Sequence, residues 1–597
     1  MLDRLDPDCW PRLHAVLGTD LRSLALFRVL LGCTLLGLAL AQLGDIGTLY
    51  GDVGVAPRHA ILETGAAWTV SLHFINGSLL ATLLFALAQA LAALCLTFGR
   101  GTRVATAFSL VLWVSWMSRY PLLPGQGDAI LALLLLWSLW LPLGARYSVD
   151  AALSTRAPPE DPRHLSVASV GLLLNVALIF IATALRMSPE WRSTATALAA
   201  WHPSAAMPDT LAALATLSTW NLLLFGTPLL LLSPLAGRWG RHSRTLLLGL
   251  ATFLLLAAAA LPGPAGPGYC ACLAALAAFI PADVWAALAQ RPRARRAVTL
   301  YYDEHCAFCL KSVQLLQVFL ALQHATLVPA QSRARTATLM EKHQSWVVID
   351  DNDQAHLKWA AMVALLRASP LFPGLDRLLA LPLWNRPGDA LYDAVARHRG
   401  RLGTLTAILW PRQPVQFVPA TTAQRFATLF LLLTLGWQSA SLVGATGAQS
   451  LLRPLLAPLH LDSRWGTPLE QLPTHNDWLV VTGETADGHV QNLLAADEVI
   501  DYRRPSATQA GASFRWRHYW QQLTLPANAR HREGYAALLC RQANGPHLND
   551  RLPGANALLR VQIDHVVAPR DGGGAERTTL WQRSCFGNGV PTGHHRD

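Results

Sequence analysis

The chain has 597 residues, 52% of them hydrophobic and only 14% charged, with a formal net charge of +11. Soluble domains carry about 25% charged residues, so this composition excludes an ordinary water-soluble protein and points to a membrane protein with the lipid bilayer as its first partner. The positive balance is almost all arginine, because lysine occurs only at Lys311, Lys342 and Lys358; no nucleic-acid-binding motif accompanies it, and nucleic acid is not an expected partner.

The first twenty or so residues are polar with Trp10 and Leu13 interleaved, and suit an amphipathic lead-in. An apolar run follows at 24–43. Ala39-Leu40-Ala41 has the small-residue spacing of a cleavage site, but the run is long for a signal peptide and its leading flank is not net basic, so a retained span is expected. Further runs near the length of a bilayer crossing lie at 79–98, 103–122, 128–143, 167–185, 211–232, 246–261 and 269–288. They predict a bundle of about eight spans over residues 1–290, interrupted around Pro203, Pro208 and Pro228. Between alternate runs, one side collects fifteen arginines, from Arg4, Arg12 and Arg22 to Arg291, Arg293, Arg295 and Arg296; the other has Arg58, Arg119, Arg186 and Arg192. That asymmetry predicts a cytoplasmic N-terminus and a cytoplasmic domain after residue 290.

That domain carries the chemistry. Val298, Leu300 and Tyr302 predict a short strand, and Leu310, Val313, Leu316, Val318 and Phe319 mark the apolar side of a following helix. Cys306 and Cys309 stand between them at the start of the helix, where unsatisfied N–H groups stabilise a thiolate. A strand feeding a Cys-x-x-Cys helix reads as a thioredoxin-like redox unit. A structural zinc would need a second pair of ligands; His305 adjoins Cys306, but His324, His343 and His356 are scattered, so no metal is expected. Cys306, nearer the helix start, is the expected nucleophile and Cys309 the resolving thiol. Asp303 is either the proton acceptor for the buried thiol or a cap for the helix start. The remaining cysteines are too few and dispersed for a disulfide scaffold, and Cys33, Cys95, Cys270 and Cys272 read as small apolar residues.

With the Asp303-x-x-Cys306-x-x-Cys309 spacing, residues 297–402 resemble the DCC-type thiol–disulfide oxidoreductase family. Strands at 325–329 and 345–350, a helix at 359–368 and the closing Tyr392-Asp393-Ala394-Val395-Ala396-Arg397-His398-Arg399 accompany the motif. Many thioredoxin-like folds place a cis-proline opposite the dithiol, whereas no proline immediately precedes the 345–350 strand.

In the bundle, Arg22-Ser23-Leu24-Ala25-Leu26-Phe27-Arg28, the Leu49-Tyr50-Gly51-Asp52 stretch running on to Pro57-Arg58, Gln126-Gly127-Asp128 and Gly144-Ala145-Arg146-Tyr147 resemble the HTTM family, the membrane domain shared with vitamin K-dependent gamma-carboxylases. The resemblance implies a lysine base near the position of Arg186. The bundle has no lysine, and a guanidinium stays protonated, so glutamate carboxylation is not expected. Arg186 reads as an interfacial snorkelling side chain or as a ligand for an anion or a quinone oxygen. His73 and His202 fall near the outer boundary and could line a pocket with Asp128, though such residues are more often satisfied interface side chains.

Residues 402–419 read as a proline-containing connector, 421–443 as a final span and 445–597 as an extracytoplasmic domain. Its strand-like stretches at 478–482 and 557–563, with a helical segment at 519–523, predict a small α+β fold. Whether Cys540 and Cys585 pair is open, and the Gly- and His-rich tail with His594 and His595 carries no metal expectation. The expected whole is a polytopic α-helical membrane bundle plus a thioredoxin-like α/β domain and a small α+β C-terminal domain, in a bacterial inner membrane. Its expected activity is thiol–disulfide exchange with a protein or small-molecule partner, needing no cofactor, with a quinone as the membrane-soluble partner the architecture suggests. The alternatives are a lipid-facing, carboxylase-like enzyme that the dithiol regulates, and a scaffold with an inert dithiol.

Overall fold

The computed structural model describes residues 11–64, 69–186, 237–260, 266–417, 419–465, 475–494, 513–545, 556–569 and 574–586, with isolated positions between them. The described chain is mostly helical, with two small four-stranded sheets in its second half.

Helix α1 (Leu21–Ala41) starts at Asp20, whose carboxylate accepts the Arg22 N–H at 2.8 Å. Helix α2 (Leu79–Phe98) starts at Ser78, whose hydroxyl accepts the Ala81 N–H, and stops at Gly99, whose φ of +70° suits glycine. Then come α3 (Thr102–Arg119), α4 (Gln126–Ser138), α5 (Val149–Leu153), α6 (Val167–Arg186) and α7 (Gly237–Ala260). Among the described residues, three helical stretches, Leu21–Tyr50, Leu79–Phe98 and Val167–Arg186, are long and apolar enough to cross a bilayer; the helices at the expected 103–122, 246–261 and 421–443 spans are not among them. The run expected at 128–143 is helical only over the thirteen residues of α4, about 20 Å against a hydrocarbon core of about 30 Å. The 211–232 run falls almost wholly outside the described residues, as does His202.

The run at 269–288 is not one helix. It divides into α8 (Gly266–Ala277) and α9 (Ala282–Ala289), bent by 70° at the break. Pro281, at the N-cap of α9, has no N–H to continue the ladder. Two carbonyls at the break find side-chain donors instead: Arg244 Nε donates to Phe279 O at 2.9 Å and Ser23 Oγ to Ile280 O at 2.8 Å.

At one end of the bundle, the fully buried Arg28 gathers carbonyls of the α4–α5 connection, donating to Leu143 O at 2.8 Å and Tyr147 O at 2.6 Å. Beside it, Asp150 accepts the N–H groups of Gly101 and Thr102. This fixes α5, on which the dithiol domain rests.

That domain comprises β1 (Val298–Tyr302), α10 (Ala307–Phe319), β2 (Ala325–Pro329), α11 (Ala334–His343), β3 (Val347–Ile349), β4 (Ala355–Leu357), α12 (Lys358–Ala368), α13 (Asn385–Arg397) and α14 (Arg399–Leu409). The sheet order is β2-β1-β3-β4; β1 and β2 are parallel, and the other pairs antiparallel. The expected connector is therefore helical as far as Leu409. Thr406 is buried on α14, and its carbonyl accepts from Lys311 Nζ of α10 at 3.0 Å, which holds the helix in the domain.

Helix α15 (Thr421–Leu442) returns along α6, tied by Gln438 Nε2 to Asn175 Oδ1 at 2.8 Å. Arg186 Nη2 donates to the carbonyl and hydroxyl of Ser441 on α15, at 2.6 and 3.0 Å. The last domain contains β5 (His475–Thr485), β6 (Val490–Asn492), α16 (Phe514–Thr524), α17 (Arg532–Asn544), β7 (Leu558–Pro569) and β8 (Glu576–Ser584), with an antiparallel β8-β7-β5-β6 sheet. A disulfide joins Cys540 to Cys585 across 5.3 Å between Cα atoms. This domain packs on the opposite end of the bundle from α5: Tyr519, Tyr535 and Leu523 share a core with Tyr50, Trp116 and Tyr120.

Candidate dithiol site

Parallel pairing of β1 and β2 requires a crossover, and α10 supplies it. The chain leaves β1 at Tyr302, turns through Asp303, Glu304 and His305, and enters α10 with Cys306 as N-cap. The turn closes when the Cys306 N–H donates to Asp303 O at 3.2 Å. Cys306 Sγ then accepts the Cys309 N–H at 3.3 Å, taking the place a serine or aspartate oxygen fills at an ordinary N-cap. A sulfur so placed gains from the helix N-terminus in its thiolate form.

Cys309 lies one turn inside. Burial pushes its thiol well above the ordinary cysteine value, and the neighbouring Cys306 and Asp303 push it the same way. The two sulfurs therefore differ in environment: one is the helix cap, the other a half-buried thiol whose surroundings disfavour the thiolate.

Asp303 does not cap α10. Its Oδ1 accepts the His305 N–H at 3.1 Å and Gln331 Nε2 at 3.0 Å, while Arg399 Nη1 stands 3.7 Å from Oδ2. Gln331 also accepts the Glu304 N–H through Oε1. Both Asp303 and Arg399 act on the Cys309 thiol, in opposite senses. Asp303, Cys306 and Cys309 are thus brought together as the motif implied. Sequence reasoning missed Gln331 and Arg399. The β1–β2 register pairs Tyr302 with Pro329, so the residues after each strand end up side by side; the Asp303–Gln331 contact follows from that register.

Tyr392, on α13, is a further neighbour. Burial raises its hydroxyl to about 12, with a contribution from Cys309, and the hydroxyl oxygen accepts the Trp346 N–H at 3.0 Å. Trp346 leads into β3, where many thioredoxin-like folds carry a cis-proline; the described peptide bonds are all trans.

The far end of α10 faces the bundle. Leu315, Val318 and Phe319 pack against Val149, Ala152 and Leu153 of α5. At 1.5 Å per residue, Cys309 lies about 9 to 15 Å along the helix from that contact, and Cys306 a turn farther. A cleft of ≈ 350 Å³ lined by Arg22, Tyr147, Glu160, Gln317 and Leu322 opens at the same far end, away from the cysteines. Among the described residues, no group of three or more His, Cys, Asp or Glu side chains is placed to hold a metal ion.

Of the other residues singled out in the sequence, His73 is buried in the bundle and Asp128 pairs with Arg515.

A cap sulfur one turn ahead of a half-buried second thiol is an arrangement compatible with a redox dithiol. The family model for DCC1-like thiol-disulfide oxidoreductases matches residues 300–405, which include both cysteines and most of α14. The match supports a thiol–disulfide oxidoreductase role for this segment. No curated protein and no solved structure matches the chain.

Proposed function

We propose that the chain is a membrane-anchored thiol–disulfide oxidoreductase, with Cys306 as nucleophile, Cys309 as resolving thiol and Asp303 as proton acceptor. The observation that carries this reading is the hydrogen bond from the Cys309 N–H to Cys306 Sγ at the start of α10. On this reading the β2-β1-β3-β4 sheet is a thioredoxin-like unit, the bundle is its HTTM-like anchor, and the dithiol faces the cytoplasm of a bacterial cell. The free dithiol at one end of the bundle and the disulfide at the other fit reducing and oxidising sides of one membrane.

In the reductive direction, the Cys306 thiolate attacks one sulfur of a partner disulfide. The partner S–S bond breaks, a mixed disulfide forms, and the partner's first sulfur leaves as a thiolate that takes a proton from water. Asp303 receives the Cys309 proton; the Cys309 thiolate attacks Cys306 Sγ and the second partner thiolate departs. The partner gains two electrons and the protein keeps a Cys306–Cys309 disulfide, which a thiol reductant returns to the dithiol. The partner approaches through water, because the thiols sit at the end of α10 away from the bundle; a quinone dissolved in the bilayer would act only through a relay.

The test is mixed-disulfide trapping on the full chain with oxidised glutathione. The Cys309→Ser variant should accumulate one glutathione on Cys306, and Cys306→Ser should accumulate almost none. Equal adducts on both variants would sink the assignment. The α10–α5 contact favours a second reading, in which the redox state of the dithiol regulates the bundle; a change in the bundle's protease pattern between reduced and oxidised protein, lost in Cys309→Ser, would support it.

A further inference from the structure

The end of the bundle beneath the C-terminal domain contains a buried cation that the protein leaves without hydrogen bonds. Arg119, the last residue of α3, has a side chain 0% exposed, and Nε, Nη1 and Nη2 all lack hydrogen-bond partners. Asp52 Oδ1 is the nearest carboxylate oxygen, at 3.5 Å from Nη2. It is held elsewhere: Arg58 donates its backbone N–H to Oδ1 at 3.2 Å and Nε to Oδ2 at 2.7 Å. Its other side rests on Gly77, where a Cβ would lie 2.2 Å from Oδ1. Asp52 therefore stays with Arg58.

His73 is the second open donor. It is 1% exposed, flanked by the tilted rings of Phe85 and Trp116 with centroids 4.7 and 4.5 Å away, and its Nε2 has no hydrogen-bond partner. Ser71 Oγ donates to Ser115 O at 2.7 Å, which leaves the Ser115 hydroxyl for His73 Nδ1 at 3.0 Å. The imidazole proton then sits on Nε2. Burial, helped by the Arg119 charge, drops the His73 value to about 3, so the ring is neutral at physiological pH; Ser115, which holds Nδ1, stands one turn before Arg119 on α3 and places the ring at the same end of that helix.

One carboxylate, Asp52, thus faces two guanidinium groups, Arg58 and Arg119, which leaves a net positive charge, and the buried Arg119 nitrogens and His73 Nε2 have hydrogen-bonding capacity that a bound anion would fill. We propose that Arg119 and His73 bind a monovalent oxyanion at this end of the bundle. A planar anion with two oxygens in line matches the guanidinium fork, and the neutral imidazole N–H serves one more lone pair. With Asp52 already close by, a single negative charge fits and a doubly charged anion does not. The site is independent of the dithiol and lies at the other end of the bundle.

The experiment uses the full chain in detergent, with acetate as the probe and sulfate and chloride as controls at matched ionic strength. The thermal unfolding midpoint should rise saturably with acetate and not with chloride or sulfate. Arg119→Gln should abolish the response, and His73→Phe should weaken the apparent affinity by about tenfold, as expected for one lost charge-assisted hydrogen bond. If Arg119→Gln shows no cooperative thermal transition, His73→Phe provides the second variant, with the charge retained and the N–H donor removed. A flat response in the parent means that water alone fills the site and overturns the proposal; so does an unchanged acetate response in Arg119→Gln, or in His73→Phe where Arg119→Gln does not fold, or equal responses to acetate and chloride.

Discussion

Arg515 on α16 and Asp128 at the start of α4 form a two-point ion pair between the C-terminal domain and the bundle, with Nη1–Oδ2 at 2.7 Å and Nη2–Oδ1 at 2.6 Å. The two residues are 387 positions apart in sequence. Burial works against the charge on Arg515, but Asp128 and Tyr50 more than offset it and raise the guanidinium above its ordinary value. Asp128 also accepts the Gly125 N–H at 2.8 Å, so one carboxylate both caps α4 and holds the domain.

Removing one partner of such a pair leaves the other buried and unpaired, at a cost of about 3–5 kcal/mol. Arg515→Met alone should loosen the C-terminal domain and make it more sensitive to proteolysis. The double variant Asp128→Asn, Arg515→Met should recover part of the loss, because two neutral groups of similar size replace the pair. Limited proteolysis with thermal melts measures both. A single variant as resistant as the parent would mean that the aromatic packing alone seats the domain.

The two thiols should differ in their response to pH. Burial holds the Cys309 thiol protonated well beyond its ordinary range. In Cys306→Ser, alkylation of Cys309 by iodoacetamide should therefore be slow at pH 8 and still climbing at pH 10. In Cys309→Ser, Cys306 should react faster at pH 7. Equal rate profiles would contradict the assignment of nucleophile and resolving thiol.

Asp303→Asn should slow the second step, release of the partner, by roughly tenfold to a hundredfold, within the range of general-base catalysis. The first step, attack by Cys306, should change little, so the mixed disulfide should accumulate transiently. Stopped-flow quenching with mass analysis resolves the two steps. Arg399→Ala should produce a smaller change, because Arg399 stands 3.7 Å from Asp303 and is partly exposed.

Gly99→Ala should destabilise the bundle by more than a surface substitution. The added methyl meets Ser148 Cβ at 2.4 Å and Arg28 Nη1 at 2.6 Å, at a positive φ that alanine resists. A drop in the melting midpoint of the reduced full chain is the expected result; an unchanged midpoint would show that the α2–α3 turn can shift away from Arg28.

The dithiol domain was legible because each of its signals is local. The 298–302 strand, the Cys-x-x-Cys helix and the 325–329 strand all fall where apolar alternation and periodicity place them. In the tail, Cys540 and Cys585 left pairing open, because only the packing of α17 against the β7–β8 sheet brings their Cα atoms to 5.3 Å. The bundle was harder to read. Hydropathy counts apolar residues without seeing that Pro281 stops a ladder, so 269–288 looked like one helix. Prolines after Leu409 made 402–419 look like a connector, whereas the buried Thr406 and its bond to Lys311 keep α14 in the domain. Gln331 and Arg399 were invisible as site residues, because only the strand register and the folding of α14 against α10 bring them to Asp303.

The confinement of lysine to one domain makes the chain its own topology reporter. Lys311 is buried against Thr406 and Lys358 is paired with Asp393, while Lys342 at the end of α11 is exposed. An amine-reactive dye that cannot cross membranes would therefore mark a side chain only on the dithiol side, with no tag or engineered site required. Applied first to intact cells and then to inverted vesicles, it reads the compartment of Cys306 and Cys309 directly from the unmodified protein.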